Sequence, residues 1–215
     1  MIPAARFLVV LDADSTLIEN EVIELLADAA GSLALVAEVT DRAMRGELDF
    51  AASLRQRVAT LAGLSTDVFA EVGALIRPTT GVHDLIAGLH AGGSRIGVVS
   101  GGFHELLDPL AATLGLDHWR ANRLEVEDGH LTGGLVGPII DASAKAAALT
   151  EWAAKDGVDL CSTVAVGDGA NDLTMMRIAG LGIAFNAKPI VRRTADLVIG
   201  TTDLSQVLPL LGLRG

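Results

Sequence analysis

The chain has 215 residues, half of them hydrophobic, enough to bury a full core as one domain with an insertion or as two small domains. Its formal net charge of -11, few aromatics and absence of tyrosine argue against nucleic acid and anionic membrane surfaces as partners, because both are bound chiefly through Lys and Arg. No apolar run approaches the roughly 20 residues that cross a bilayer, and the run before Asp12 is too short for a secretory signal.

The first element is Phe7-Leu8-Val9-Val10-Leu11, whose length and β-branched content predict a buried strand. It runs into Asp12-Ala13-Asp14-Ser15-Thr16-Leu17, so two carboxylates sit where a strand ends and a loop begins. Helical periodicity follows at about 20–30, with Val22, Ile23, Leu25, Leu26 and Ala29 on one face, then at about 32–45, 50–61 and 66–77, until Pro78 ends the series. No strand pattern interrupts these helices, which predicts a helical insertion over residues 17–76 between core segments 1–16 and 77–215.

From Gly81 onward strands and helices alternate. Ile96-Gly97-Val98-Val99 runs into Ser100-Gly101-Gly102, Thr163-Val164-Ala165-Val166 runs into Gly167-Asp168-Gly169, and short strands are expected at 181–185 and 197–199. Arg123 to Glu127 alternates, Asp128-Gly129 follows, and His130-Leu131-Thr132 continues, a hairpin signal read as a small β-excursion. The fold class is therefore α/β: a doubly wound parallel-sheet, Rossmann-like core with an inserted four-helix cap and that hairpin. The single cysteine, Cys161, excludes an intramolecular disulfide and a thiolate metal cluster, and a cytoplasmic protein is the expectation.

In an open parallel sheet, ligands bind beyond the carboxyl ends of the strands. Asp12, Asp14, Ser100 and Asp168 all stand at such ends, and Gly167-Asp168-Gly169-Ala170-Asn171-Asp172 adds a further carboxylate. Four ionised Asp side chains in one crevice repel one another, and a hard divalent cation with oxygen ligands, magnesium foremost, would relieve this. Ser100-Gly101-Gly102 offers a hydroxyl and backbone amides for phosphate oxygens, although the same tripeptide also makes ordinary loops. Lys145, in a first helical turn where it opposes the macrodipole, suits a phosphate or a cluster of carboxylates. An acidic chain needs such a local cation to hold an anionic substrate.

Within the insertion, Arg57 falls on the apolar face formed by Phe50, Leu54, Val58 and Leu61, where it needs either an ion pair within the insertion or a carboxylate or phosphate ligand. Glu21 groups with Glu24 and Asp28 on a polar helix face, and Met44 shares a face with Leu33, Val36 and Thr40, which makes core packing its default. None of the five histidines stands in metal-ligand spacing with another.

Asp12-x-Asp14-x-Thr16, Ser100-Gly101, Lys145 and Gly167-Asp168-Gly169-x-Asn171-Asp172 resemble, in order, the four motifs of the haloacid-dehalogenase-type phosphatases. Glu19-Asn20-Glu21, Leu54-Arg55-Gln56-Arg57-Val58 and Ala121-Asn122-Arg123 extend the likeness to the phosphoserine phosphatases among them, over nearly the whole chain. The resemblance implies hydrolysis of O-phospho-L-serine, the last step of serine biosynthesis, with Asp12 as the nucleophile that becomes an aspartyl-phosphate and Asp14 as general acid and base. It implies magnesium held by Asp12, the Asp14 backbone carbonyl and Asp168, with Asp172 in support, and phosphate held by Ser100, Gly101, Lys145 and Asn171. It gives Glu21 the substrate ammonium, Arg57 its carboxylate, and Met44 and Phe50 the pocket walls. Ala13 departs from the family, which often has a bulky apolar residue there, and no regulatory region preceding the core is expected.

Two rival readings accompany this one. A related phosphatase for another small monoester, or a phosphotransferase that passes the phosphoryl group to an alcohol, would use the same motifs. A signalling receiver domain also combines an α/β sheet, clustered Asp, a hydroxyl residue and Lys, but has no use for a helical cap or for Arg57. The expected partner is a small phosphomonoester, with the chain a monomer or homodimer.

Overall fold

The computed structural model describes residues 5–214. Its centre is β1 (Leu8–Leu11), four consecutive buried apolar residues, which pairs in parallel with β2 (Arg95–Phe103) on one side and β5 (Thr163–Gly167) on the other. Leu11 stands opposite both Val98 and Val166. That register brings Asp12, Ser100 and Asp168 out at the same edge, since each lies one or two residues beyond this level. The seven strands run in the order β4-β3-β2-β1-β5-β6-β7, with β3 His118–Glu127, β4 His130–Val136, β6 Leu181–Phe185 and β7 Leu197–Ile199. The strand order reverses at β1, the topological position at which an open α/β sheet leaves a crevice for a ligand.

Alternate residues of β1 serve two cores. Val9 and Leu11 face a cluster shared with the helices that precede and follow β2, whereas Leu8 and Val10 face Leu149, Trp152, Met175 and Met176. These last residues come from α7 (Ala142–Asp156) and α8 (Leu173–Ile178). The Asp141 carboxylate starts α7 by accepting from the Ala144 N–H at 2.9 Å, and Gly157 ends it at φ 67°.

Between β1 and β2 lie α1 (Val22–Ala29), α2 (Leu33–Met44), α3 (Phe50–Ala59), α4 (Val68–Gly73) and α5 (Val82–Ala91). Four of these, α1 to α4, match the expected helices, but α4 is much shorter than the expected 66–77. Gly73 weakens its end, and the residue before Pro78 is driven to extended backbone. Arg77 instead accepts from the Glu19 N–H at 2.9 Å while Ile18 and Pro78 form an antiparallel bridge, so the two strands of chain entering and leaving α1–α4 run side by side.

The hairpin has the expected two-residue turn, with Asp128 at φ 48° and Gly129 at φ 77°. It is continuous with the main sheet. The strand starts at His118, earlier than the alternation indicates, and its first residues pair in parallel with β2. Its return strand braces the inserted helices: Leu131 accepts from the Gly63 N–H at 2.8 Å and donates to the Leu64 carbonyl at 2.9 Å. Among the described residues no helix is long and apolar enough to cross a membrane.

Candidate active site

Asp12 is buried directly beyond β1. Its Oδ1 accepts from the Ala13 N–H at 2.7 Å and lies 2.7 Å from Lys145 Nζ. Lys145 is fully buried and also donates to Asp172 Oδ1 at 2.7 Å, while Asp172 Oδ2 accepts from the Gly169 N–H at 3.0 Å. The lysine that opposes the helix dipole is thus spent on two carboxylates. Asp12, Asp168 and Asp172 each offer an oxygen within 4.8 Å of the others.

One buried cation does not neutralise three buried carboxylates. Burial, and then the Asp172 carboxylate, push Asp12 up to about 7 against the pull of Lys145. Burial likewise pushes Asp168 up to about 6, against the opposing charge of Lys188, whose Nζ lies 3.6 Å from it. Lys145 is held above its ordinary value by Asp12 and Asp172, although burial opposes this. A site of hard oxygen donors that is short of positive charge fits a divalent cation. Asp14 stands outside the group of three. Burial, then Glu21 and Asp12, raise it well above the usual carboxylate range, the condition of a proton donor.

Beyond these carboxylates opens a cavity of about 760 Å³ whose wall includes Gly101, Gly102, Asn171 and Lys188 on the sheet side and Met44, Phe50 and Arg57 on the side of the inserted helices. After Asp14 the chain turns sharply, with Ser15 at φ 56°, and the Ser15 hydroxyl donates to Glu21 Oε1 at 2.8 Å. Glu21 therefore enters the cavity from the residue just before α1. Arg57 has its hydrogen bond, among the described residues, to the Ser53 carbonyl at 3.4 Å within its own helix. Burial lowers its pKa while Glu21 and Asp14 raise it, and an arginine so placed stays cationic. The cavity thus holds buried acid–base groups together with a carboxylate, Glu21, and a guanidinium, Arg57.

The haloacid dehalogenase-like hydrolase family model matches residues 9–177. This chain belongs to the haloacid dehalogenase-like hydrolases. The hydrolase is 52% identical over 204 residues to phosphoserine phosphatase of Streptococcus thermophilus, covering 95% of each chain. It is 54% identical over 209 residues to phosphoserine phosphatase of Streptomyces coelicolor, where 97% of this chain matches and spans 51% of the relative. A substrate-bound phosphoserine phosphatase complex superposes with a TM-score of 0.90 at 42% identity, covering 95% of this chain and 98% of that one. A phospho-aspartyl intermediate analogue of phosphoserine phosphatase also gives a TM-score of 0.90 at 42% identity, over 96% of this chain and 99% of that one.

The fold of the hydrolase brings most of the expected residues to one cavity: Asp12, Asp14, Glu21, Met44, Phe50, Arg57, Gly101, Asp168 and Asn171 line it, and Lys145 and Asp172 lie buried behind Asp12. Ser100 is buried behind Gly101 and Gly102, its Oγ accepting from the Gly102 N–H at 2.8 Å. Two side-chain expectations need correction. Met44 is not packed in the core but 77% exposed at the cavity mouth, because only Val36 of α2 is buried. Glu21 does not share the solvent face of Glu24 and Asp28; its extended backbone, just before the helix, turns it inward instead. For Arg57, the ion pair within the insertion is not made among the described residues. Sequence reasoning passed over Ser15, which holds Glu21, and Lys188. Lys188 lies three residues beyond the end of β6, so the strand-end rule that found Asp168 would have flagged it.

Proposed function

We propose that this hydrolase cleaves O-phospho-L-serine to L-serine and inorganic phosphate through an aspartyl-phosphate on Asp12, as the last step of serine biosynthesis. The observation that carries this reading is the shared cavity, lined by Asp12, by Asp14 with its raised pKa, and by Glu21 and Arg57. A zwitterionic amino acid esterified to phosphate presents groups complementary to that arrangement.

In the first half-reaction Asp12 Oδ2, the oxygen that does not accept from the Ala13 N–H, attacks phosphorus while the P–O bond to the serine oxygen breaks. Asp14 gives its proton to that oxygen, so serine leaves as the alcohol. In the second, Asp14, now a carboxylate, takes a proton from water as the water oxygen attacks phosphorus and the bond to Asp12 breaks. Asp12 is regenerated and phosphate leaves. Lys145 keeps Oδ1 of Asp12 in place through both steps and opposes the upward push of burial and Asp172 on the Asp12 carboxyl. Ser100, the Gly101 backbone and Asn171 contact the phosphoryl oxygens. Glu21, steadied by Ser15, takes the ammonium, Arg57 takes the carboxylate, and Phe50 and Met44 close over the serine methylene.

Asp12, the Asp14 carbonyl and Asp168, with Asp172 behind them, would hold a divalent cation, magnesium by this reading, which would supply charge neutralisation to the phosphoryl group. The all-oxygen donor set supports this choice of ion. We assign the chemistry to a core of residues 1–16 and 77–215 and the exclusion of bulk water to a cap of residues 17–76. A cytoplasmic monomer or homodimer fits the single exposed cysteine and acidic surface.

The test is phosphate release from L-phosphoserine beside a panel of small phosphomonoesters, with magnesium and with a chelator. Release from phosphoserine at least tenfold faster than from the others, abolished by the chelator, is expected. Preference for another ester discards the substrate, and phosphorylation of an added alcohol in place of water discards hydrolysis.

A further inference from the structure

We infer that Asn122 is a positioning residue for the phosphate-holding loop, fixing the Gly101–Gly102 peptide on which the Ser100 hydroxyl depends. The inference rests on the reading of Ser100 and Gly101 as phosphate contacts given above.

The starting point is an irregularity in the sheet. Val99 pairs with Arg120 and Phe103 with Asn122, so residues 100, 101 and 102 of β2 stand opposite Ala121 alone. Such a bulge takes a segment out of the ladder and re-aims it. Ladder bonds no longer hold that segment, so another group must fix its backbone at the cavity wall.

Asn122 supplies that group. It is buried, and its side-chain amide is committed in both directions: Nδ2 donates to the Gly101 carbonyl at 2.9 Å, and Oδ1 accepts from the Ile140 N–H at 2.9 Å. One partner is an acceptor and the other a donor, which fixes which way the amide faces. The carbonyl of Gly101 and the N–H of Gly102 belong to one planar peptide and point in opposite directions. With the carbonyl held by Asn122, the N–H is directed at Ser100 Oγ, which it reaches at 2.8 Å. Because that oxygen accepts here, the Ser100 O–H proton is left to donate to a phosphoryl oxygen.

The second bond of Asn122 ties this loop to the other phosphate-side element. Ile140 immediately precedes Asp141, whose carboxylate caps α7 and so sets the helix turn that delivers Lys145. Asn122 links the two through its own side chain and is not among the residues that line the cavity. Bulged glycines have no conformational preference of their own to replace it.

The test is a double-mutant cycle on phosphoserine turnover using Asn122→Ala, Ser100→Ala and the double variant, with thermal melts on each. Asn122→Ala is expected to lower kcat about 30-fold with the melt retained. In the Ser100→Ala background the same change is expected to cost less than about 3-fold, because the hydroxyl it orients is gone. Losses that multiply, or an Asn122→Ala enzyme within twofold of the parent, overturn the inference. If Asn122→Ala does not fold, Asn122→Asp keeps the Ile140 acceptor, faces the Gly101 carbonyl with an oxygen, and takes its place in the same cycle. A Ser100→Ala enzyme with full activity would instead remove the phosphate role of Ser100, so the two failures are distinguishable.

Discussion

The ammonium of Lys145 and the carboxylate of Asp172 meet at 2.7 Å, with no solvent exposure of either side chain. The same ammonium lies 2.7 Å from Asp12, so one charge organises both the nucleophile and the carboxylate behind it. Removing one partner of a buried ion pair strands the others. Lys145→Met is therefore expected to lose about 3 kcal/mol of stability at pH 7 without metal, the lower end for breaking a buried pair. At pH 5 Asp12, which burial pushes up to about 7, carries a proton, so the deficit should shrink. Urea denaturation at the two pH values checks this, and an equal deficit at both contradicts it. Turnover is expected to fall by on the order of 10²-fold or more, as for other preorganised charges facing a reacting group.

The metal-free hydrolase is expected to lose stability as pH rises from weakly acid to neutral. Burial and like-charged neighbours push Asp12 up to about 7 and Asp168 up to about 6 in the folded chain, both well above the ordinary carboxylate range. Between about pH 4 and 7 the folded state therefore binds more protons than the unfolded state, and unfolding free energy falls as pH rises. Lys145, held above its ordinary value, stays charged throughout and adds no slope in this window. Melting in chelator is expected to occur at lower temperature at pH 8 than at pH 5.5. Magnesium should raise the melting temperature more at pH 8, because it competes with protons for these oxygens. A magnesium effect independent of pH would contradict the charge deficit assigned to the site.

How much of this was legible in the sequence varies with the physics involved. Asp12, Asp14, Asp168 and Asp172 could be found because strand ends in an apolar run are local features, and a parallel sheet places such ends together. The special role of Lys145 was visible as a violated helix-dipole preference, although its two partners were not. Glu21 was misgrouped because helical periodicity was extended one residue beyond the helix, to a position with extended backbone. Periodicity makes core packing the default for Met44, and only the family resemblance puts it in the pocket wall, because an amphipathic pattern shows which residues share a face but not what that face meets. Here it meets a cavity. The hairpin was seen from its Asp128-Gly129 turn, but the parallel pairing of its first half with β2 is a long-range contact with no local signature.

Arg57 provides a separation of binding from chemistry. Its guanidinium lines the cavity and has a hydrogen bond only within its own helix among the described residues. A free amino-acid carboxylate would supply the partner it lacks. Arg57→Ala is expected to cost roughly 2–3 kcal/mol, or about 30- to 150-fold in kcat/KM, on phosphoserine, the range of a charged hydrogen bond. It should change turnover of an aryl phosphate, which has no carboxylate, less than threefold. Steady-state kinetics on the two substrates decide the matter, and equal losses would remove the assigned role.

Gly101 and Gly102 are adjacent, yet a methyl group on each meets very different neighbours. At Gly101 a Cβ would come within 3.0 Å of the tip of the Phe50 ring, the far end of a side chain that can swing away into the cavity. At Gly102 it would lie 2.8 Å from Val22 Cγ2, 3.1 Å from Ser100 Oγ and 3.5 Å from Asp14 Oδ2. Val22 is β-branched, buried and at the first turn of α1, so it has little freedom to yield. Overpacking there is expected to destabilise by about 1–3 kcal/mol and to displace both Ser100 and Asp14. Gly102→Ala should consequently lower kcat on phosphoserine and on an aryl phosphate alike. Gly101→Ala should mainly raise KM for phosphoserine, through the displaced Phe50 wall. Kinetics of both variants on both substrates, with melts alongside, give the comparison. If Gly102→Ala raised only KM, the crowding of Asp14 and Ser100 would not be what limits that position.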